Sequence, residues 1–352
     1  VFECSNLRSQ RQSGKLKVEE LDNKQPVGRR ENMLRVFRVL IKMIGALLLI
    51  PAAGLAMFWL FGERWRPLRR STLELFRSAG WARWRQVVHA YVYIRWSNQY
   101  IGYGLRRFHP RPRRFQSNTS DRYHGKVLTH ELARQFVLLD HDVTLPDREQ
   151  VIPYPVARDI VIRHPQAIAI YDCPCRANRR DPCTPVDVCM IIGQPWVDFI
   201  VAHNPQSARQ VGRAEALAIL EAEHERGHVH TAYFRDAMEG RFYAICNCCK
   251  CCCGGIEMMM KNGTPMIASS GYVAHIDAEG CLACGDCQEA CPFDAISVNG
   301  HAVVDTGLCM GCGVCQIICS QELPRLVRDE RKALPLDLRV LEGTGDVQTF
   351  KR

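Results

Sequence analysis

The chain has 352 residues, of which 47% are hydrophobic and 24% charged, with a formal net charge of +9. That is material for two or three domains with a substantial core. Its nineteen cysteines are an odd number rich in C-x-C and C-C neighbours. They read as metal ligands in a reducing compartment and exclude a small secreted disulfide scaffold.

The charge is unevenly spread. Through residue 124 there are 24 Lys+Arg against 8 Asp+Glu, a net of +16, and the remainder carries 22 against 29, a net of −7. A basic first third fits anionic lipid or nucleic acid. Residues 1–32 form a polar tail without apolar periodicity. Met43 to Phe61 then runs 19 residues without a charged side chain, about long enough for a hydrocarbon core of roughly 30 Å. Trp59 and Trp65 stand near its far end, where indole favours the interface. Arg35, Arg38 and Lys42 flank one side, and Arg64, Arg66, Arg69 and Arg70 the other, so the flanks choose no orientation. Pro51 in its middle points first to a kinked spanning helix. A re-entrant anchor and a buried core helix are the alternatives, and a cleaved signal peptide starting at Met33 ranks last.

From residue 71 to 105, Trp81, Trp84, Val88, Tyr91 and Ile94 follow helical steps while Arg83, Arg85, His89 and Arg95 fall largely elsewhere on the wheel. The expectation is a basic, aromatic interfacial helix on anionic lipid, the alternative a helix packed on a partner subunit. The arginine-rich stretch from Arg106 to Arg114 has no accompanying nucleic-acid motif, so no nucleic acid is expected.

Beyond a Pro/Arg-rich linker at 109–122 the composition is that of a soluble domain. Thr129 to Leu139 and Gly212 to Arg226 read as helices, the second with Ala214, Leu217, Ile219 and Leu220 as its apolar face. Ala167 to Tyr171 and Arg241 to Ile245 read as strands. Each strand delivers a cysteine string. The first is Cys173, Cys175, Cys183 and Cys189, enough for one cubane. The second is Cys246, Cys248, Cys249, Cys251, Cys252 and Cys253, which needs a tight turn that Gly254 and Gly255 would permit. Either the first four hold a cluster and four of the later six another, or all ten pool around a larger or non-cubane cluster. Arg176 and Lys250 stand beside these thiols as charges that would tune a cluster or simply be solvated. His228 and His230 read as strand or surface histidines before auxiliary ligands, and Met258 to Met260 as packing.

The most regular feature is a repeat. Cys281, Cys284, Cys287 and Cys291 recur 28 positions later as Cys309, Cys312, Cys315 and Cys319. C-x2-C-x2-C wraps three sulfurs around one cubane, and in the two-cluster arrangement the fourth cysteine ligates the other cluster. The assignment is therefore crossed: Cys281, Cys284, Cys287 and Cys319 for one centre, Cys309, Cys312, Cys315 and Cys291 for the other. Structural zinc is the alternative, but zinc half-sites need no third cysteine at the next step.

Over about residues 272–327 these motifs resemble the bacterial-type two-cluster ferredoxin family. An opening strand at Tyr272 to Asp277 and a hairpin through Asn299-Gly300, joining 295–298 to 302–305, agree with that resemblance. Ser320 departs from it, standing where the family usually has proline. Upstream, the CPCR and CNCCxCCC strings ahead of such a module are similar to a set of bacterial and archaeal iron–sulfur proteins of unestablished role. The Cys252-Cys253-Gly254 triplet resembles the CCG motif of heterodisulfide-reductase-like subunits.

The expected fold class is α+β. N-terminal membrane or interfacial helices at 33–124 precede a cysteine-rich α/β cluster-binding domain at 125–271. A ferredoxin-like domain with a pseudo-twofold repeat at 272–327 and a tail or docking arm at 328–352 follow. The expected function is electron transfer through two ferredoxin-type [4Fe–4S] clusters, three to four in all. The setting is a membrane-attached, non-catalytic subunit with its clusters on the cytoplasmic side of a bacterial inner membrane. Partners would be integral-membrane or peripheral redox subunits, with no small-molecule substrate identified. A reductase with a catalytic cluster among the upstream cysteines is the alternative, and a metal-dependent structural module a third.

Overall fold

The computed structural model describes residues 67–107 and 119–345, with isolated positions between 35 and 63. The polar tail, the apolar run except Met43 and Ala56, and linker residues 109–118 lie outside the described residues. Among the described residues no helix is long and apolar enough to cross a membrane. The chain divides into two compact units, Val1–Trp65 and Arg66–Arg352. In the first, residues 35–40 are helical; the second is described below.

Three helices lead into the second unit: α1 (Arg70–Ala79), α2 (Trp84–Arg95) and α3 (Ser97–Arg107). They correct the expectation of lipid-facing helices. The face of α2 carrying Val87, Ala90, Tyr91 and Ile94 is buried, and it is buried against this chain. Tyr91 meets Phe199 and His203 edge-on at 5.2 and 5.5 Å, Arg95 Nη1 donates to the His203 carbonyl at 2.9 Å, and Thr72 Oγ1 lies 3.2 Å from His203 Nε2. Each such buried apolar side chain contributes roughly 1.5–3 kcal/mol relative to its exposure in water. Trp84 of the expected stripe is 52% exposed.

The body continues with β1 (Tyr123–Val127), α4 (His130–Leu138), the pair β2 (Val143–Leu145) and β3 (Ile160–Ile162), β4 (Ile168–Asp172), α5 (Pro174–Ala177) and β5 (Asp187–Ile192). Then come α6 (Trp196–His203), β6 (Ala208–Val211), α7 (Arg213–Glu225), β7 (Val229–Arg235), β8 (Arg241–Cys248), α8 (Gly254–Asn262) and β9 (Ile267–Ala268). Seven strands form one sheet in the order β6-β4-β5-β8-β7-β1-β9. All its pairings are antiparallel except β1 with β9. Thr129 caps α4 by accepting from the Leu132 N–H at 3.3 Å, and Leu132, Ala133, Phe136 and Val137 form its buried stripe. On α7 the buried face is Ala216, Leu220 and Glu223; Ala214 is exposed. The expected stripe was rotated because the helix buries a carboxylate.

The ferredoxin-like part comprises β10 (Tyr272–His275), α9 (Asp286–Ala290), β11 (Ile296–Asn299), β12 (His301–Val304), α10 (Val314–Ile318) and β13 (Arg325–Arg328). β11 and β12 form the hairpin around Gly300 (φ 75°), while β10 pairs antiparallel with β13.

The residues after β13 are not a free tail. Among the described residues they include α11 (Leu338–Leu341), with Leu336 and Leu338 buried. The Leu334 carbonyl accepts from Lys126 Nζ at 2.8 Å, and the Leu338 N–H donates to Gln135 Oε1 at 3.2 Å. The arm docks on its own α/β body.

Candidate metal centres

The 28-residue repeat is reproduced in the backbone. Gly285 and Gly313 precede α9 and α10 with φ of 90° and 84°, and Ala283 and Gly311, also 28 apart, have φ of 52° and 63°. Cys291 and Cys319 end the two helices with ψ of 116° and 111°. Ser320 thus follows nearly the same backbone turn as Pro292. Two cysteine-lined hollows result. Cys281, Cys284, Cys287 and Cys319 line one of about 30 Å³, and Cys291, Cys309, Cys312 and Cys315 the other, of about 20 Å³.

These quartets suit clusters by their donor chemistry. Backbone N–H groups of Ala274, Ala295 and Ala302 point at Cys309, Cys291 and Cys281 Sγ at 3.3, 3.3 and 3.4 Å. Such N–H···S bonds stabilise thiolate charge and tune a cluster's potential. Burial, with the neighbouring thiols adding to it, pushes the Cys312 thiol up to about 12 and raises Cys315 and Cys287. A metal offsets that cost by taking the thiolate directly. Cys287 of one quartet is among the groups acting on Cys315 of the other, so the two centres are neighbours.

The ten upstream cysteines do not divide by string. One group joins Cys183 of the first string to Cys249, Cys251 and Cys252 of the second, with one sulfur from each inside 4.8 Å of the others. Cys183 and Cys251 Sγ are 2.8 Å apart, and Cys251 and Cys252 Sγ 3.6 Å. A tetrahedron with metal–sulfur bonds of about 2.3 Å has edges of about 3.8 Å. The spacing therefore suits a single tetrahedral ion, whereas four irons of a cubane hold their terminal sulfurs further apart.

The second group is Cys173, Cys175, Cys189, Cys246, Cys248 and Cys253, which together with Cys249 of the four-thiol group line a cavity of about 320 Å³. Register explains it. Met190 on β5 pairs with Ile245 on β8, so Cys189 and Cys246 stand beside that pair, and alternation brings Cys246 and Cys248 to one face. The strand runs through Cys248, the turn falls at residues 250–252, and Gly254 and Gly255 open α8 instead of making the turn. Their reason is close approach: a Cβ on Gly254 would lie 2.7 Å from Leu105 Cδ2, and one on Gly255 2.6 Å from Tyr233 Oη.

The six thiols form a connected set. Hydrogen bonds from Cys175 and Cys189 hold Cys173 well below the ordinary thiol value and raise their donors. Cys248, 3.2 Å from Cys253, lowers Cys253 in the same way. Cys173 and Cys253 precede α5 and α8, so helical N–H groups add to the thiolate preference. Six donors exceed the four of one cubane, leaving a larger cluster or a cubane with two spare thiols.

Sequence reasoning did not find the cavity's other wall. Arg235 is buried with its guanidinium 3.7 Å from the Tyr93 ring centre, and its Nη2 donates to Tyr100 Oη at 2.8 Å. Tyr93 and Tyr243 hydroxyls are 2.9 Å apart, and Tyr233 Oη lies 3.9 Å from Cys253 Sγ. Burial raises the Tyr93, Tyr123, Tyr233 and Tyr243 hydroxyls above the usual phenol range. Tyr93 and Tyr100 supply this wall from α2 and α3; of Trp84, Val88, Tyr91 and Ile94 in the expected stripe, Ile94 alone lines it.

Arg176 is fully buried and pairs with Glu223 at 2.7 Å. It also donates to the Asn247 carbonyl at 3.0 Å, while His228 Nδ1 lies 2.7 Å from Glu223. Burial disfavours the Arg176 charge, but Glu223 outweighs it and the net shift is upward. His228 therefore belongs to an ion-pair network and His230 bonds to Asn247 at 2.6 Å; neither lines the cavity. Met258 is buried in the cavity wall and Met260 is exposed. Lys250, between Cys249 and Cys251, reaches Asp294 at 3.0 Å and the Glu289 carbonyl at 3.3 Å. It ties the second string to the ferredoxin-like part.

No curated protein and no solved structure matches the chain. Residues 274–320 match the family model of the 4Fe-4S dicluster domain. That match covers the repeat, and with the cysteine group around 249–252 it makes the chain an iron–sulfur protein with a metal-binding, electron-transfer character.

Proposed function

We propose that the chain carries electrons between two [4Fe–4S] clusters, one in each crossed quartet, and a further cluster held by the six cavity thiols. The four-thiol group of Cys183, Cys249, Cys251 and Cys252 holds a single tetrahedral ion, iron or zinc. The observation that carries this reading is continuity. The quartets neighbour each other through Cys287 and Cys315, and Lys250 fastens the upstream thiols to Glu289 and Asp294 beside Cys291. Iron and acid-labile sulfide counting on anaerobically purified protein tests it. About eight irons belong to two cubanes, so twelve or more, with matching sulfide, supports the upstream cluster. A count of about nine or fewer, the ninth being iron in the four-thiol group, defeats it.

Electrons would enter and leave through integral-membrane or peripheral redox subunits, with the apolar run at 43–61 and the basic first third as the attachment. Flotation with anionic vesicles tests this part. Loss of flotation when 1–65 is removed supports it, and unchanged flotation refutes it.

The cavity favours a second reading, a reductase. Its volume, about 320 Å³, falls in the range of about 300–1,000 Å³ of small-ligand sites, and Arg235 with its tyrosines supplies charge and hydroxyl groups beside the thiols. Spectra of the reduced protein that change when cyanide or a small thiol is added would support an open iron; ligand-insensitive spectra would exclude it.

A further inference from the structure

Apart from the thiols, three histidines meet on the opposite side of the β7–β8 pair. His130 opens α4, His224 closes α7 and His230 lies on β7, with one ring nitrogen from each inside 4.8 Å of the others. His230 is buried, while His130 and His224 are partly open to solvent. The His130 and His224 rings stack at 4.1 Å.

The hydrogen bonds fix where the lone pairs stand. Asn247 Nδ2 donates to the Val188 carbonyl at 2.7 Å, so Asn247 Oδ1 faces His230 Nδ1 at 2.6 Å and must accept. The His230 proton is therefore on Nδ1, leaving a lone pair on Nε2. That Nε2 lies 3.2 Å from His130 Nδ1. The other His130 nitrogen, Nε2, lies 3.0 Å from Glu221 Oε2 and satisfies the carboxylate only by donating to it. A neutral His130 then aims a second lone pair at the first, across 3.2 Å. Moving its proton to Nδ1 only transfers the conflict to Glu221. A cation between the rings removes it: an added proton or a metal ion.

We propose that His130 Nδ1, His230 Nε2 and His224 bind one divalent first-row transition metal ion, with Glu221 and Asn247 orienting two of the rings. The 3.2 Å separation matches the edge of about 3.3 Å for a tetrahedron with metal–nitrogen bonds of about 2.0–2.1 Å. Carboxylate and amide acceptors behind the ring N–H groups are the usual outer support of such ligands. Imidazole donors suit zinc, iron, nickel or copper, not calcium or magnesium. Three protein ligands leave a fourth position for water or an added ligand, and the partly open sides of His130 and His224 give access to it. Glu221 and His224 are three apart on α7 and so share a face. Asn247 stands between Cys246 and Cys248, so the ion is coupled through His230 and Asn247 to the strand that carries two cavity thiols.

The test is zinc binding to the full chain with its iron–sulfur centres in place, under anaerobic conditions and against a competing chelator. Zinc content and the zinc X-ray absorption edge are the readouts. The expected result is one zinc beyond any held by the four-thiol group, seen as the difference between the unmodified chain and His224→Ala, with nitrogen and oxygen neighbours only. His224→Ala, at a partly exposed position, should abolish tight binding without altering iron or sulfide content. Glu221→Gln should weaken binding about 10–100-fold. Zinc–sulfur scattering at about 2.3 Å for that ion, equal binding by His224→Ala, or no tight zinc in the unmodified chain would each overturn the proposal. The last outcome would leave a protonated His130 as the bridging cation. Because the assay holds the iron and sulfide content fixed, its failure is distinct from failure of the electron-transfer reading.

Discussion

Arg176 concentrates the cost of burying charge beside a metal site. Its pair with Glu223 is wholly out of solvent; removing Glu223 leaves Arg176 buried without a carboxylate, and removing Arg176 leaves Glu223 with His228 and Arg226 alone. Arg176→Met is expected to cost about 3–5 kcal/mol, and the double change with Glu223→Leu considerably less; denaturant unfolding of the three variants measures both. His124 gives a separate pH signature. Burial lowers it to about 4, its Nδ1–H donates to the Ser120 carbonyl at 2.8 Å, and its ring stacks on Tyr154 at 4.0 Å. Between pH 6.5 and 4 the unfolded chain takes up a proton here that the folded chain refuses, so stability falls as pH falls. The expected loss is about 1.4 kcal/mol per pH unit in that window. His124→Phe, which keeps a ring in the stack, should remove that component when unfolding is measured at pH 6 and 5.

At the scale of elements, the two cluster loops make an internal control. Gly311 and Ala283 occupy equivalent left-handed positions, but a Cβ at Gly311 would lie 2.2 Å from the Tyr272 carbonyl oxygen. Gly311→Ala should therefore displace the loop between Cys309 and Cys312, losing the signal of that centre in low-temperature EPR. Ala283→Gly relieves a strained residue and should leave the other centre intact, with a stability change near 1 kcal/mol or less in either direction. The repeat was legible because thiol spacing is local and repeats at a fixed interval. The grouping of the ten upstream cysteines was not, because it depends on β5 lying next to β8, and strand order leaves no mark in either string. The α2 stripe failed for a related reason. A helical apolar face states that something covers it, and does not distinguish lipid from Phe199 and His203.

For the whole molecule, the crossed assignment makes a prediction that a pair of independent loops would not. Cys319→Ala should damage the centre of Cys281, Cys284 and Cys287, and Cys291→Ala that of Cys309, Cys312 and Cys315; iron content and EPR of each variant decide it. The ferredoxin-like part, the α/β body and the C-terminal arm belong to one compact unit, Arg66–Arg352. Structure runs across the sequence-drawn boundaries: β1 passes through residue 124, the Ser270 N–H donates to the Met310 carbonyl at 3.0 Å across 271, and Leu334 meets Lys126 across 327.

The interleaving of the thiols also imposes an order on biogenesis. The four-thiol group draws on Cys183 and Cys252, the cavity group on Cys173 and Cys253, and one quartet on Cys281 and Cys319. Synthesis delivers the N-terminal member of each set first. No thiol site in the upstream region is complete until Cys252 has left the ribosome, and the first quartet waits for Cys319. Iron supplied early meets only partial ligand sets, so the nascent chain passes through a window of exposed thiols. That window closes in sequence, upstream groups before the first quartet, and each loading step ties distant segments of the chain together.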